Sequence, residues 1–404
     1  MKNRTKKSLN NLPFFHITLI GFAAVILLLT IVITAHQLIN KNNQTLQKLS
    51  SSGDQIAKLG KELTETRLKL SELENSDQVK INKNLNSEIE NIQKTFTYAT
   101  KIYEDIVDLK IAKVNTQKID EKFSLLLKSL SDRRYSDAET KINETIALIK
   151  IENDKLASAN VSAVSTANLT SSNTVPDNGY RRQQVTTDNG SFVVDIVSAD
   201  LSSTKVVIDT ASDNDCRNDC AVMSVGAYAG RSGAYAAING SYFCPSSYPS
   251  CADKKNSFDT LLMNKNKTYF NSDNNVYSTV PAAIFSSQAR FVSKSMEWGR
   301  DTGVDGVIAN QPLLTLGGQL LFGGDTDAKK SSKANRSFVG STGNKVFMGV
   351  VYSSSVAEAA KVLHTLGIQN SLNLDSGGST AFWVGGYKTG PGRDVPNAVL
   401  FVRR

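Results

Sequence analysis

Residues 14–35 contain no Asp, Glu, Lys or Arg, and this run constrains the chain more than any other feature. In a helix rising 1.5 Å per residue, a run of this length reaches about the 30 Å of a bilayer's hydrocarbon core. Lys2, Arg4, Lys6 and Lys7 precede it. Positive flanks stay on the cytoplasmic side, so the chain is expected to cross once, with the remainder outside the cell membrane. The predicted order begins with a cytoplasmic tail (1–13) and a transmembrane helix (14–39). A signal peptide cleaved near Ile33-Thr34-Ala35 is the alternative; the apolar run exceeds a usual signal core, which favours an uncleaved anchor.

The formal net charge is +8, but its distribution argues against a nucleic-acid partner. Residues 1–41 carry +5, residues 42–178 carry 19 basic and 20 acidic side chains, and residues 179–404 carry 22 and 18. Part of the excess is a topology signal, and no basic run interleaved with aromatics follows it. A mildly basic outer domain suits anionic envelope polymers.

Beyond the apolar run, Leu49, Ile56, Leu63 and Leu70 recur every seven residues, with Leu59, Thr66 and Leu73 offset by three. This is a heptad seam flanked by Lys and Glu, and it predicts a coiled-coil stalk able to join copies of the chain. The stalk is placed at 40–156, with a helical hairpin turning at 131–136. That hairpin is expected to provide reach and packing and no ligand contact. Residues 157–178 are small, polar and almost uncharged, and read as a linker. From 179 to 404 the texture changes to short β-rich runs separated by Gly and Asn. Ser355 and Glu358 form a capping box, and Val356, Ala359, Ala360 and Leu363 share one face of a helix that Gly367 ends. An apolar strand follows directly, so the fold class is α+β.

All four cysteines fall between 216 and 251. Cys216 and Cys220 bracket three residues, Cys244 and Cys251 bracket six, and an extracytoplasmic location permits disulfides. Pairing within each bracket is the expected connectivity among three possible ones; a four-cysteine zinc site is disfavoured because neither pair has a Cys-x-x-Cys knuckle.

The strand Leu372-Asn373-Leu374 runs into Asp375 and then Ser376-Gly377-Gly378-Ser379. A carboxylate at a strand's end reaches the rim of a sheet, and the glycines after it allow close backbone approach. Upstream stand Asn239-Gly240-Ser241-Tyr242-Phe243, Gln311-Pro312 and Asn335-Arg336-Ser337-Phe338-Val339-Gly340; downstream come Arg393 and Pro396-Asn397-Ala398-Val399. In this order the set resembles the phosphodiester glycosidase family, over about residues 180–404. The resemblance implies a hydrolase that cleaves a sugar 1-phosphodiester, with Asp375 acting at the anomeric carbon and Arg336 holding the phosphate. It further implies substrate contacts from Asn239, Gly240, Tyr242, Asn373, Gly377, Gly378, Ser379, Arg393 and Asn397. Ser241 and Ser376 depart from the family, which usually has glycine at both places.

The chemistry of the residues narrows the choice independently. Residues 179–404 contain one histidine, His364, inside the predicted helix, so a Ser-His-Asp triad has few parts to draw on. Glu297 and Glu358 are the only glutamates there, and Glu358 is accounted for by capping. Carboxylate catalysis therefore rests on aspartates, with Asp259 a possible second carboxylate. No cofactor is assigned; Asp213, Asp215 and Asp219 around Cys216 suggest at most a divalent cation such as calcium, without a complete calcium loop. The expected function is a membrane-anchored glycosidase acting on envelope glycans or exopolysaccharide. The alternatives are a non-catalytic carbohydrate-binding module and a structural envelope protein working through its coiled coil.

Overall fold

A computed structural model describes residues 13–74, 76–163, 169–272, 279–301 and 303–404. The chain divides into two compact units, 1–90 and 91–404. The tail expected at 1–13 lies outside the described residues apart from Pro13.

The first unit is dominated by helix α1 (Pro13–Glu74), which is 62 residues long. Anchor and heptad segments share one unbroken helix, because no proline interrupts it and its glycines at 21, 53 and 60 meet nothing a Cβ would strike. From residue 21 onward every α1 side chain is exposed, including Leu49, Ile56, Leu63 and Leu70. It is the one described helix long and apolar enough to cross a membrane. The same unit holds the start of α2 (Asp77–Ile111).

The second unit opens with residues 91–111 of α2, then α3 (Gln117–Ser131) and α4 (Tyr135–Ala163). Ala99, Ile102, Ile106 and Leu109 interlock with Ile119, Leu126 and Leu130 and with Ala138, Ile142 and Ile149. Steps of three and four keep these residues on facing stripes. The turn expected at 131–136 is present between α3 and α4, with Arg133 at φ 56°. A second turn at 112–116 makes the hairpin a three-helix bundle.

The boundary placed at 156/157 is corrected. Helix α4 continues to Ala163, and the supposed linker then joins a sheet: Thr170–Ser171 pairs with the strand Gly179–Thr187, and Gln183 donates to the carbonyls of Ser172 and Thr174. Small polar residues there satisfy backbone groups at a sheet edge, a role that composition cannot distinguish from a flexible spacer.

Three sheets follow. The largest has eight strands, with Asn370–Asn373 between Ala334–Thr342 and Leu313–Leu316. A five-stranded sheet sets Ala236–Asn239 between Phe382–Val384 and Asn397–Arg403, and another five-stranded sheet carries Gly306–Ala309. One core, including Ile208, Ile238, Ala283, Ile308, Val339, Met348 and Leu372, joins all three. A second lies where the helix Val356–Thr365 covers the large sheet. That helix has the expected capping box, and Gly367 follows it at φ 74°. His364 is exposed on it. Helices on one face of largely antiparallel sheets make this an α+β fold.

Both bracketed cysteine pairs are disulfides, Cys216–Cys220 at 2.14 Å and Cys244–Cys251 at 1.92 Å.

Candidate active site

Two strands from different sheets end side by side. Asn370–Asn373 leads to Asp375 and Ala236–Asn239 leads to Gly240, and the Asp375 amide donates to the Gly240 carbonyl at 2.9 Å. Asn239 completes the join: its Nδ2 donates to the Asp375 carbonyl at 2.6 Å, while its Oδ1 accepts from Ser337 Oγ and the Ala381 amide. The side chain is fully buried. The expected contact between Asn239 and a sugar is therefore corrected: this amide lies under the loop and fixes it.

Asn373 and Asn397 are corrected likewise. Asn373 is buried and donates to Tyr242 Oη at 2.6 Å and to the Gln311 carbonyl. Asn397, also buried, accepts from the Ser241 amide and donates to Ser241 Oγ. A Cβ on Gly240 would lie 1.9 Å from Asn397 Oδ1, so glycine at 240 is a packing requirement. Sequence reasoning missed a further member, Asn310, which donates to the Asn373 carbonyl and accepts from the Tyr242 amide. Its position directly before Gln311-Pro312 was the available signal. Buried amides that bridge main-chain groups of separate strands rigidify a rim, because each broken bond would strand a polar atom away from water.

The two serine departures fit. Ser376 has φ −144° and ψ −178°, extended backbone that accepts a side chain, and its Oγ accepts from the Ser337 amide and donates to the Leu374 carbonyl. Ser241 uses its hydroxyl on Asn397. Left-handed geometry falls instead on Gly377, at φ 67°. Gly378 is needed for a different reason, since a Cβ there would meet Arg393 Nη2 at 2.4 Å.

Asp375 Oδ1 accepts from the Ser376 amide at 2.9 Å. Burial pushes its carboxyl up to about 6, against the opposing pull of the Ser379 hydroxyl and Arg393, and nearby Asp108 pushes the same way as burial. Tyr242 is half-buried, and burial with the Asp375 charge raises its phenol well above the ordinary range. Asp375, Tyr242 and Arg336 lie near enough to shift one another electrostatically.

Arg336 is 5% exposed, and three of its donor hydrogens go to the carbonyls of Ser354, Lys329 and Ser332. It ties the segment around 329–332 to the sheet, so its main visible role is structural, and its two Nη1 hydrogens are the donors not committed this way. Burial draws its guanidinium pKa down, with Tyr242, Asp327 and Asp375 opposing. Arg393 is the arginine that faces Asp375 more openly. Its amide donates to Gly378, its guanidinium lies 5.2 Å from the centre of the Tyr248 ring, and its buried Nε has no partner among the described residues.

A helix face unanticipated from sequence closes this side. Arg393 Nη2 pairs with Asp108 of α2, and Tyr248 Oη donates to the other Asp108 oxygen at 2.5 Å. Ser250 donates to Glu104, and Lys329 Nζ lies 3.7 Å from Glu104 Oε2. Burial pushes Asp105 up to about 6 despite the Lys329 charge. Besides its packing, this helical region thus makes polar contacts with the β-rich part of the chain.

Asp259 is 75% exposed beside Lys254, which removes it as a buried partner of Asp375. Among the described residues no three His, Cys, Asp or Glu side chains gather as metal ligands. Of the acids considered for calcium, Asp215 accepts from the Asn271 amide and Asp219 pairs with Lys255.

The site is thus a strand-end carboxyl in a mixed-sheet α+β domain, with two arginines near enough to act on it electrostatically. Residues 232–402 match the family model for phosphodiester glycosidases. No curated protein matches the chain. Among solved structures it is similar to a hypothetical protein from Synechocystis (12% identity, TM-score 0.40, covering 56% of this chain and 62% of that one). It is also similar to the catalytic domain of zebrafish N-acetylglucosamine-1-phosphodiester alpha-N-acetylglucosaminidase, auto-inhibited by its pro-peptide (15%, 0.44, 58% and 87%). The chain thus spans about three-fifths of the Synechocystis protein's length.

Proposed function

We propose that the domain hydrolyses the glycosidic bond of a sugar 1-phosphodiester. The supporting observation is Asp375, a strand-end carboxyl held at about 6 beside Arg393 at the junction of two sheets. Water's oxygen joins the anomeric carbon, the bond from that carbon to the bridging oxygen breaks, and a phosphate monoester departs. Because phosphate is already a good leaving group, the protein's task is to stabilise charge at the anomeric carbon and hold the phosphate. Asp375 serves the first need and Arg393 the second. Arg336 keeps the rim in place, with Nη1 available to the same phosphate. Tyr242 and the Gly377-Gly378-Ser379 turn shape the sugar side.

The uncharged segment of α1, preceded by basic residues, supports an anchored protein with its C-terminal domain outside the membrane, acting on envelope or exopolysaccharide glycans. The exposed heptad seam supports pairing with a second copy through a coiled coil. The test is a panel of sugar 1-phosphodiesters offered to the full chain in detergent, with free sugar and phosphate monoester measured together. Equimolar release is expected; retention of ligand without turnover on every member would replace the glycosidase with a binding module.

A further inference from the structure

Helix α2 brings negative charge to the arginine assigned to the phosphate, and it does so from a fixed position. Ala99, Ile102, Ile106 and Leu109 belong to the core of the three-helix bundle, and α4 of that bundle packs on the strands Ala334–Thr342 and Lys345–Ser354 of the large sheet. The same turns of α2 carry Glu104, Asp105 and Asp108. Asp108 accepts from Arg393 Nη2 and from Tyr248 Oη, and the Tyr248 ring centre lies 5.2 Å from the guanidinium. Buried Glu104 accepts from Ser250, with Lys329 Nζ 3.7 Å away. The Cys244–Cys251 disulfide closes the short loop that holds both Tyr248 and Ser250. From the other direction Gly378 confines Arg393, since its carbonyl accepts from the Arg393 amide and a Cβ there would meet Nη2 at 2.4 Å.

Asp108 therefore fixes where the guanidinium stands, and it also takes up part of its charge. In this corner Arg393, Lys329 and Lys101 interact with the carboxyls of Glu104, Asp105, Asp108 and Asp375, so no surplus of positive charge is left over. Attraction to the cations and repulsion by the carboxyls both scale with the charge an anion brings. A phosphodiester brings one negative charge, whereas a phosphate monoester carries close to two at neutral pH. Set about 10 Å from one carboxylate, that second charge weakens binding by about ten-fold. We propose that Asp108 is a specificity-determining residue that positions Arg393 and offsets its charge, so that the site takes a phosphodiester monoanion and turns away a phosphate-monoester dianion. This rests on the reading of Arg393 as the phosphate clamp and deepens it. The dianion is the product of the proposed hydrolysis, and its weak retention clears the site after each turnover.

The test measures binding of dimethyl phosphate and of methyl phosphate to the full chain in detergent, at about pH 8 where the monoester holds its second charge. Wild type, Asp108→Asn and Lys329→Gln are compared. Asparagine keeps an oxygen for Arg393 and Tyr248 and removes only the charge. The wild type is expected to bind dimethyl phosphate the more tightly. Asp108→Asn should shift the ratio of the two affinities about ten-fold toward methyl phosphate, and Lys329→Gln should shift it the other way; where Asp108→Asn folds poorly, the Lys329→Gln shift decides alone. On a sugar 1-phosphodiester, inhibition by methyl phosphate should strengthen in Asp108→Asn far more than KM falls. A wild type that prefers methyl phosphate, or a ratio left unmoved or moved in one direction by both variants, overturns the charge selection and leaves Asp108 a structural contact. The expected shifts without turnover by any protein uphold it and sink the glycosidase. Turnover with an unmoved ratio does the reverse.

Discussion

The rim around Asp375 and the helix face opposite it are both crowded with polar groups, yet they are held in opposite ways. On the rim, Asn239, Asn310, Asn373 and Arg336 bond to main-chain atoms of neighbouring strands, deep in the domain. On the helix, Asp108 and the buried Glu104 bond to side chains instead, among them Arg393 and the half-exposed Lys329. A buried amide or guanidinium that loses its partner leaves an atom water cannot reach, whereas a peripheral ion pair that opens is rehydrated. Loss of a partner is therefore expected to cost more on the rim than at the helix face, although both are rich in charge.

The largest effect expected on the rim is catalytic. Asp375→Asn should cut kcat by about a hundred-fold or more while methyl phosphate binding survives; turnover like that of the wild type would remove Asp375 from the mechanism. Next comes stability. Arg336→Ala exposes three carbonyls to an empty buried space and should cost about 3 kcal/mol in urea unfolding, whereas Asp108→Asn should cost about 1 kcal/mol or less. Equal losses would erase the distinction between the two sides.

A smaller effect is the pH dependence. Asp375 and Asp105 both have folded-state values raised to about 6, above those of an unfolded chain, so the folded protein holds more protons in the interval below 6. Stability should then fall as pH rises from about 4 to about 6, with each group contributing on the order of 3 kcal/mol at most. Asp375→Asn should flatten part of that slope, and a slope unchanged by the substitution would show that the carboxyl is not held in its neutral form. The smallest effect concerns the first unit. Ile56→Lys with Leu63→Lys should lower the mass of the detergent-solubilised particle without moving the unfolding of the β-rich domain; an unchanged mass would remove the heptad seam as a pairing surface.

Much of the fold was legible because it rests on local rules. The capping box at Ser355 and Glu358, the stop at Gly367 and the turn near Arg133 each depend on residues within four positions of one another. Asp375 at a strand's end was legible for the same reason. The roles of the asparagines were not. Asn239 and Asn397 look alike in sequence to ligand-binding amides, and only the approach of a second sheet commits them to Ser337, Asp375 and Ser241. The linker was misjudged because a short edge strand and a spacer have the same composition.

Arg336 and Arg393 mark the boundary between the two kinds of information. Sequence order and residue chemistry established that a long apolar helix comes early in the chain, that its later part repeats in sevens, and that the β-rich domain has aspartates and arginines to work with but few glutamates and one histidine. Those are properties of neighbours along the chain and of side-chain type. Which arginine lies buried against carbonyls and which stands near the carboxylate depends on contacts spanning tens to hundreds of residues, such as that of Arg393 with Asp108. No local propensity encodes those contacts; they arise only when separate elements share one core and compete for the same few polar partners.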